Sequence, residues 1–468
     1  MILLENIFHY KTLKKIKRII EVIENLENIE NLGNFEWGFV GGIPRDFFFY
    51  KKKLKTLEID IVFFNPITYL FLVLCDKFKD FIKEKYFHQR FSTGKIIFKD
   101  GLILDLITAR KESYPFAASL PVVKPTQNII EDILRRDLTI NTLLFKRLKK
   151  HPDLMMEIID KTGGYQDLIN LKAKILHPNS FKDDPTRIYR ILRYKVRFNL
   201  ELEKYTFDTL LSSIKFVQAL SINRIFNEIK KINIEEKFDK IYENFFFLSF
   251  DPINIKQILV EEFEDYQKLL RDLKILRKSI KSFEKFFKNQ KNKIKKEYDK
   301  NKVIFSFLLA KGFINNPKYF NLLSKDTFKL SKLWEFVFSK ENSPKIKPNP
   351  KIKSKDLKNI YAEQVAYYQE VEFIIPLIFL LYKTNSLNLK FTLKKLFKKT
   401  FIKPLKFSFS FLNSISLYYF GKELSIDLYN TITKKIKYLY FFEKIRTNNQ
   451  LIRYVRNFLK KVYNRESL

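Results

Sequence analysis

Two carboxylates, Glu58 and Asp60, stand two positions apart in the run Leu57-Glu58-Ile59-Asp60-Ile61-Val62-Phe63-Phe64. Apolar residues dominate this run, and it reads as a buried strand. The two-residue period of a strand sends both carboxylates to the same face. Burying a carboxylate without a partner is costly, so the pair calls for a cation. Upstream, the apolar run Trp37 to Val40 reads as a second strand and ends in Gly41-Gly42-Ile43-Pro44-Arg45-Asp46. Paired glycines let the backbone approach a bound group closely, and Arg45 offers a planar positive fork. Glycine turn, arginine and paired carboxylates together suit a triphosphate and its divalent ions. The plainer alternative is a surface turn beside solvent-facing acids, which fits the apolar neighbours less well.

The rest of the chain arranges itself around this segment. Residues 1–34 are expected to be helical, with Ile16, Ile19, Ile20, Ile23 and Leu26 as an apolar stripe. A further helix is predicted over 67–83, with Cys75 beside its apolar face as a core residue. Strands are predicted from Lys95 to Lys99 and from Leu102 to Ile107, joined by the Asp100-Gly101 turn. Asp105 lies inside the second of these strands. It is either a third carboxylate meeting Glu58 and Asp60 across the sheet or the structural partner of Arg110 or Arg135; the first reading is preferred. Residues 108–130 carry Pro115, Pro121 and Pro125 and are expected to be irregular.

The charge-dense segment Glu131-Asp132-Ile133-Leu134-Arg135-Arg136-Asp137-Leu138-Thr139-Ile140-Asn141 follows. Arginine forks there suit phosphate oxygens, and an aspartate or asparagine suits a ribose hydroxyl. A strand from Met155 to Ile159 leads into Gly163-Gly164 and Asp167-Leu168. Asp183-Asp184-Pro185-Thr186-Arg187 then opens a helix, with Pro185 suited to the first turn. Arg187, Arg190, Arg193 and Arg197 recur at helical spacing and share one broad face, read as a nucleotide or RNA surface rather than a merely solvated one. Beyond about 205 the pattern is helical with weak strand signals. Residues 279–302 form a dense basic run, and 387–417 interleave lysines with phenylalanines, as surfaces that track a phosphate backbone do. The Lys/Pro-rich stretch 344–350 reads as a linker.

Composition narrows the classes. The chain has 468 residues, with 88 Lys and Arg against 52 Asp and Glu, a net charge of +36. That balance favours a polyanionic partner, although a general bias to Lys, Ile, Asn, Phe and Tyr discounts it. One cysteine excludes a disulfide framework, and the four histidines, at 9, 88, 151 and 177, have no metal-ligand spacing. The absence of a long charge-free run and of a signal-type cleavage site sets the expectation of a soluble cytoplasmic protein without membrane contact.

The ordered segments resemble the class II tRNA nucleotidyltransferases and bacterial poly(A) polymerases, within the polymerase-beta-like nucleotidyltransferase superfamily. The resemblance rests on residues 41–46 with 58–60, then 135–141, 163–168 and 183–188 continuing to Arg193 and Phe198. Residues 221–230 match more weakly. It implies an α+β fold class: a nucleotidyltransferase head with a small mixed β-sheet, then all-helical neck, body and tail. The expected division is an N-terminal helical extension at 1–34, the catalytic head at 35–148, the neck at 149–235, an RNA-binding body at 236–343 and a tail at 351–468.

The same resemblance implies residue roles. Glu58 and Asp60 match the metal-binding catalytic pair, to which the strand position of Asp105, not the resemblance, adds a further catalytic carboxylate. Gly41, Gly42 and Arg45 fit the triphosphate turn. Arg136 and Asp137 fit the ribose and phosphate contacts; Asn141 and Arg190 join the nucleotide-binding candidates from the reading of their own segments. Asp184 and Arg187 fall at the base-selecting pair. Cytosine and adenine both present an amino donor beside a ring-nitrogen acceptor, which an aspartate and an arginine complement.

The implied reaction is template-independent transfer from CTP and/or ATP to the 3′ end of tRNA, with magnesium as cofactor and manganese as the more tolerant substitute. It would build CCA, or only its CC or A part, in which case a companion enzyme supplies the rest. The implied partner is the acceptor and T-arm region of tRNA, not DNA. Segments 112–122 and 176–181 look more like the split or poly(A)-adding members. Poly(A) addition to general RNA is the first alternative, and an inactive RNA-binding relative the second. Three positions depart from the family pattern. Glu58 stands where aspartate is usual, Asn223 where glutamate is, and Leu138 where phenylalanine is.

Overall fold

The computed structural model describes residues 1–27, 36–148, 153–288, 299–314 and 316–341, with isolated positions at 375–376, 379, 425, 428 and 454–459. The expected linker at 344–350, the lysine-rich stretch 387–417, most of the tail at 351–468, His151 and the middle of the basic run at 289–298 lie outside the described residues. The chain divides into two compact units. The first is Met1–Ile232 with Phe247–Gln257, and the second is Asn233–Phe246 with Ile258–Leu468.

The first unit is built on strands β1 (Ile2–Leu3), β2 (Trp37–Phe39), β3 (Glu58–Phe63), β4 (Ile82–His88), β5 (Thr93–Phe98) and β6 (Ile103–Thr108), together with β9 (Leu144–Arg147) and β10 (Met155–Ile159). They form one eight-stranded sheet in the order β1-β10-β9-β2-β3-β6-β5-β4. Every neighbouring pair is antiparallel except β3 and β6. The α+β architecture is therefore as expected: a mixed sheet first, then a largely helical remainder. Two details differ. The N-terminal segment is not helical throughout, because Ile2–Leu3 adds the sheet's edge strand β1 before α1 (Leu4–Ile7) and α2 (Tyr10–Glu27). Residues 108–130 are not irregular either, since β7 (Arg110–Ser113) pairs with β8 (Val122–Pro125) as a separate hairpin. The prolines sit where a hairpin tolerates them: Pro115 and Pro121 in the connection and Pro125 at the strand end.

Alternation decides which face of the sheet is which. On β3, Ile59, Ile61 and Phe63 are fully buried and join the main core with Leu104, Leu106 and Ile96. The α2 stripe Ile16, Ile19, Ile20, Ile23 and Leu26 enters the same core, as do Leu70, Leu74 and Cys75 of α4 (Thr68–Lys77). The opposite face of the sheet carries Glu58, Asp60 and Val62, and Val62 packs with Val40, Phe64, Ala109 and Leu144. Gly94 on β5 has a packing reason: a Cβ there would lie 2.4 Å from the Phe71 ring.

The remaining helices of the first unit are α3 (Gly42–Tyr50), α5 (Ile129–Leu134), α6 (Gly164–Ile169), α7 (Ser180–Asp183), α8 (Thr186–Phe198), α9 (Lys204–Ser213) and α10 (Ile222–Asn233). Their starts are chemically marked. The Asn128 side chain caps α5, and the Asp160 carboxylate accepts from the backbone N–H groups of Thr162, Gly164 and Tyr165 at the start of α6. Asn199, in the left-handed region at φ 54°, closes α8. Short parallel strands β11 (Lys172–Ala173) and β12 (Glu201–Leu202) pair beside it, and β13 (Phe250–Asp251) pairs antiparallel with β14 (Lys256–Gln257). None of these four was expected.

In the second unit the described helices are α11 (Phe238–Phe247, all but its last residue), α12 (Val260–Lys288), α13 (Lys300–Ala310), α14 (Pro317–Phe320) and α15 (Lys325–Glu341). Helix α13 packs on α15 through Phe307 and Trp334, whose rings meet edge-on at 5.1 Å. The Trp334 indole donates to Ser306 Oγ at 3.1 Å. No helix among the described residues is long and apolar enough to cross a membrane.

Candidate nucleotidyl-transfer site

The parallel register of β3 and β6 sets Asp60 directly beside Asp105, on strands about 4.8 Å apart. On the far side of β6, Lys95 of β5 lies opposite Asp105 and donates from Nζ to its Oδ2 at 2.9 Å. A row of Lys95, Asp105 and Asp60 thus crosses three strands, with Glu58 two residues from Asp60 on the same face. The alternative partners considered for Asp105, Arg110 and Arg135, are engaged with Glu112 and Asp132 instead. Asp60 carries the electrostatic load of this row. Burial pushes its carboxyl up to about 6, and Asp105 and then Glu58 add to the rise against Arg136 and Lys95. Glu58 is exposed, and no side chain among the described residues donates to its carboxylate.

The glycine turn closes over this row. Gly41 has φ 65°, and a Cβ built on it would meet Asp60 Oδ2 at 3.4 Å. The turn therefore sets its backbone beside the carboxylate in a left-handed conformation that glycine adopts without strain. Arg136 approaches from the other direction. Its Nη2 donates to Asp132 Oδ2 at 2.6 Å, while its buried Nε has no hydrogen-bond partner among the described residues.

Three segments far apart in sequence meet through buried polar side chains. Arg45 of α3 is 4% exposed. Its Nε donates to Asp46 Oδ1 at 2.8 Å and its Nη1 to Asn141 Oδ1 at 2.7 Å. The guanidinium lies 5.0 Å from the Tyr194 ring and 4.8 Å from the Phe198 ring, both on α8. Asn141 passes the connection on, its Nδ2 donating to Asp137 Oδ1 at 2.9 Å. Asp137 also accepts from the Leu138 N–H at 2.9 Å, and its Oδ2 takes both Nε and Nη2 of Arg190 at 2.7 Å. Burial alone would raise the Asp137 carboxyl; Arg190 and Asn141 overcome it and hold the group well below the usual carboxylate range. The relay Asp46–Arg45–Asn141–Asp137–Arg190 thus ties the glycine turn to α8.

A second buried cluster roots the β7–β8 hairpin. Asp132 accepts from Arg135 and Arg136, and Glu112 accepts from Arg110, Arg135 and the Tyr114 hydroxyl. Burial would raise Asp132, yet Arg136 and Arg135 lower it to about 2.

Asp184 and Arg187 lie together at the start of α8. Asp184 Oδ1 accepts from the Thr186 N–H and hydroxyl at 3.1 and 2.6 Å and from Arg224 Nη2 at 2.7 Å. Arg224 also donates to the Ala118 carbonyl in the hairpin connection at 2.8 Å. Arg187 is 5% exposed, giving Nη1 to Ser180 Oγ at 2.8 Å and Nη2 to the Arg135 carbonyl at 2.6 Å.

The fold brings the predicted residues together in two groups. Gly41, Gly42, Glu58, Asp60, Asp105 and Arg136 surround the carboxylate row. Arg45, Asp137, Asn141 and Arg190 form the relay behind it, with Arg45, Asp137 and Asn141 buried rather than open to a ligand. The arginine face of α8 is largely an interior one, since Arg187 and Arg193 are buried. Sequence reading missed Lys95, whose place depends on the β5–β6 register, and Arg224, whose reach depends on how α10 packs. It also gave Asp132 and Glu112 no role; their signal was the excess of neighbouring arginines.

A profile of the poly A polymerase head domain matches residues 38–174, which hold the whole carboxylate row and all of the relay except Arg190. Over these residues the chain is similar to the head of that family. The head is 34% identical over 144 residues to an A-adding tRNA nucleotidyltransferase of Geobacter sulfurreducens, covering 30% of this chain and 16% of that protein. It is 34% identical over 182 residues to the A-adding tRNA nucleotidyltransferase of Aquifex aeolicus, covering 38% and 21%. The chain thus spans well under half the length of these relatives. A Thermotoga maritima CCA-adding enzyme complexed with tRNA shares the fold, with a TM-score of 0.57, 21% identity and coverage of 98% and 100%.

Among the described residues no group of three or more His, Cys, Asp or Glu side chains gathers as a metal cage. A magnesium site shared with a triphosphate needs fewer, because one or two carboxylates combine with phosphate oxygens and water. The hard oxygen donors of Glu58 and Asp60 fit that requirement, and the raised Asp60 carboxyl marks negative charge that a cation would relieve.

Proposed function

We propose that this protein transfers nucleotides from ATP, CTP or both to the 3′ end of tRNA without a template. The observation that supports this best is the row of Asp60 and Asp105 beside the Gly41 turn, inside a head of the matching family. Glu58 and Asp60 would hold the magnesium. When bound, the metal lowers the pKa of the terminal 3′-hydroxyl and neutralises triphosphate charge during in-line attack on the α-phosphorus.

The protein's own groups do the rest. The Gly41–Gly42 backbone lets the triphosphate approach closely, and the free Nε of Arg136 offers it a donor. Lys95 holds Asp105 in place beside Asp60. Asp137, Asn141 and Arg45 act as positioning residues, fixing the turn against α8. Asp184 keeps Oδ2 without a hydrogen bond among the described residues while Oδ1 is fastened by Thr186 and Arg224, which leaves an acceptor for the amino group of adenine or cytosine. Arg187 would exchange its Ser180 or Arg135 contact for the base's ring nitrogen. Guanine and uracil reverse that pattern and would leave buried groups unpaired, a strong ground for rejection. The A-adding names of the relatives favour the terminal adenosine step.

The test is extension of tRNAs ending before CCA, after one C and after CC, and of oligo(A), with each nucleotide supplied separately. One adenosine added to the CC-ended tRNA is the expected product. Long adenosine tails on oligo(A) would establish poly(A) addition instead. Asp60→Asn should abolish incorporation while keeping tRNA affinity. An active Asp60→Asn enzyme would overturn the metal assignment.

A further inference from the structure

An open cleft of about 450 Å³ lies at the C-terminal end of α3, lined entirely by first-unit residues. Lys51, Lys52 and Lys53 border it, with Asn6 beside them and Phe47, Phe48 and Tyr165 completing the wall. The Phe48 and Tyr165 rings meet edge-to-face at 4.9 Å, and Tyr165 stays 43% exposed. All three lysines are exposed, and none is in an ion pair among the described residues. Lys52 instead rests 5.2 Å from the Tyr50 ring. The structure thus sets unneutralised cations against an accessible aromatic face, in a concave site that the catalytic chemistry does not use.

Position gives the cleft meaning. Helix α3 begins at the glycine turn and ends at Tyr50. Its nine residues, at 1.5 Å each, separate turn and cleft by about 13 Å. The cleft therefore lies one short helix from the turn that the RNA 3′ end would reach, close enough for the same RNA to touch both. Cations that follow a backbone, joined to a ring that accepts any base, form the sequence-independent grip used on single strands.

We propose that the cleft binds a phosphodiester segment of the RNA substrate, with phosphates on Lys51, Lys52 and Lys53 and a base on Tyr165. This rests on the reading of the protein as an RNA nucleotidyltransferase. A free nucleotide offers the same chemistry but fewer phosphates along the lysine run, so a chain uses the site more fully.

The experiment measures affinity of the full-length protein for tRNA lacking its final adenosine, across a series of salt concentrations. Three phosphate contacts contribute about 2 to the slope of log K against log salt, at roughly 0.7 each for single strands. The Lys51→Gln/Lys52→Gln/Lys53→Gln variant should lose about that much slope. A control with Lys77, Lys79 and Lys85 changed to Gln removes the same charge elsewhere on the head and should lose less than half of it. Tyr165→Ala should weaken binding on the order of tenfold, and Tyr165→Phe should restore it. Equal losses in both triple variants would reduce the cleft to net charge and overturn the inference. So would an unchanged slope, or a loss confined to binding of ATP alone. If the wild-type protein extends tRNA while the cleft variant binds normally, only this inference fails. If the wild-type neither binds nor extends tRNA, the functional reading fails with it.

Discussion

Asp137→Ala is the sharpest test of the buried relay. The substitution strands three donors: the Leu138 N–H, Asn141 Nδ2 and the Arg190 guanidinium. Removing one partner of a buried ion pair costs about 3–5 kcal/mol, and each unmet buried donor about 1–3 kcal/mol. Arg190 is 34% exposed in its side chain and can turn to water, so its share falls well below the full value. A net loss of about 3 kcal/mol follows, a shift on the order of 1 M in urea midpoint. The chain supplies its own probe, since it has only two tryptophans, Trp37 in β2 of the first unit and Trp334 in α15 of the second. In a Trp334→Phe background, Trp37 fluorescence reports the unit that contains the relay. Adding Arg190→Leu to Asp137→Ala removes the stranded cation, so the double variant should lose at least about 1 kcal/mol less than the two single losses added together. Strict additivity, or a single-variant loss below about 0.5 kcal/mol, would refute the claim that these groups hold turn and helix together.

Three further outcomes are expected. Glu58→Asp shortens an exposed carboxylate by one methylene, and magnesium tolerates little change in geometry; the ratio of magnesium- to manganese-supported incorporation should rise, and an unchanged ratio would show that Glu58 does not set metal preference. Gly164→Ala places a Cβ 2.1 Å from the Thr139 carbonyl oxygen, so it should destabilise the first unit by about 2–3 kcal/mol in the same Trp37 assay, and wild-type stability would mean that α6 can shift freely. The Asp132 carboxyl, lowered from 3.8 to about 2, contributes stability that is complete above the unfolded value and disappears as pH falls through the folded one. The cost of Asp132→Asn should therefore shrink by about 2 kcal/mol between pH 5 and pH 2, whereas a constant cost would assign it to packing.

Much of the carboxylate row was legible because strand alternation is a local rule. Ile59, Ile61 and Phe63 announce a buried face, and the same period fixes Glu58 and Asp60 on the other. The α2 stripe and the Gly41–Gly42 turn are readable for the same reason. The β7–β8 hairpin escaped notice because its strands, Arg110–Ser113 and Val122–Pro125, are short, polar and joined through prolines. They are held by Glu112 and Asp132 meeting arginines rather than by an apolar pattern.

The sequence by itself determined which residue types lie close along the chain: the acid pair, the glycine turn, the Arg-Arg-Asp run and the arginine-rich helix. Only the tertiary structure decided how they are spent. Parallel pairing of β3 with β6 put Asp105 beside Asp60, and the β5–β6 register gave Asp105 its lysine. Packing of α8 against α3 then set Arg45 against the Tyr194 and Phe198 rings and turned Asp137 inward to Arg190. Periodicity is written in neighbouring residues, but strand order and helix docking depend on contacts between residues about a hundred or more positions apart, such as Arg45 with Asn141 and with Phe198. A charged side chain's role follows from those contacts, because burial and partner together decide whether it faces a ligand or holds the residue that does.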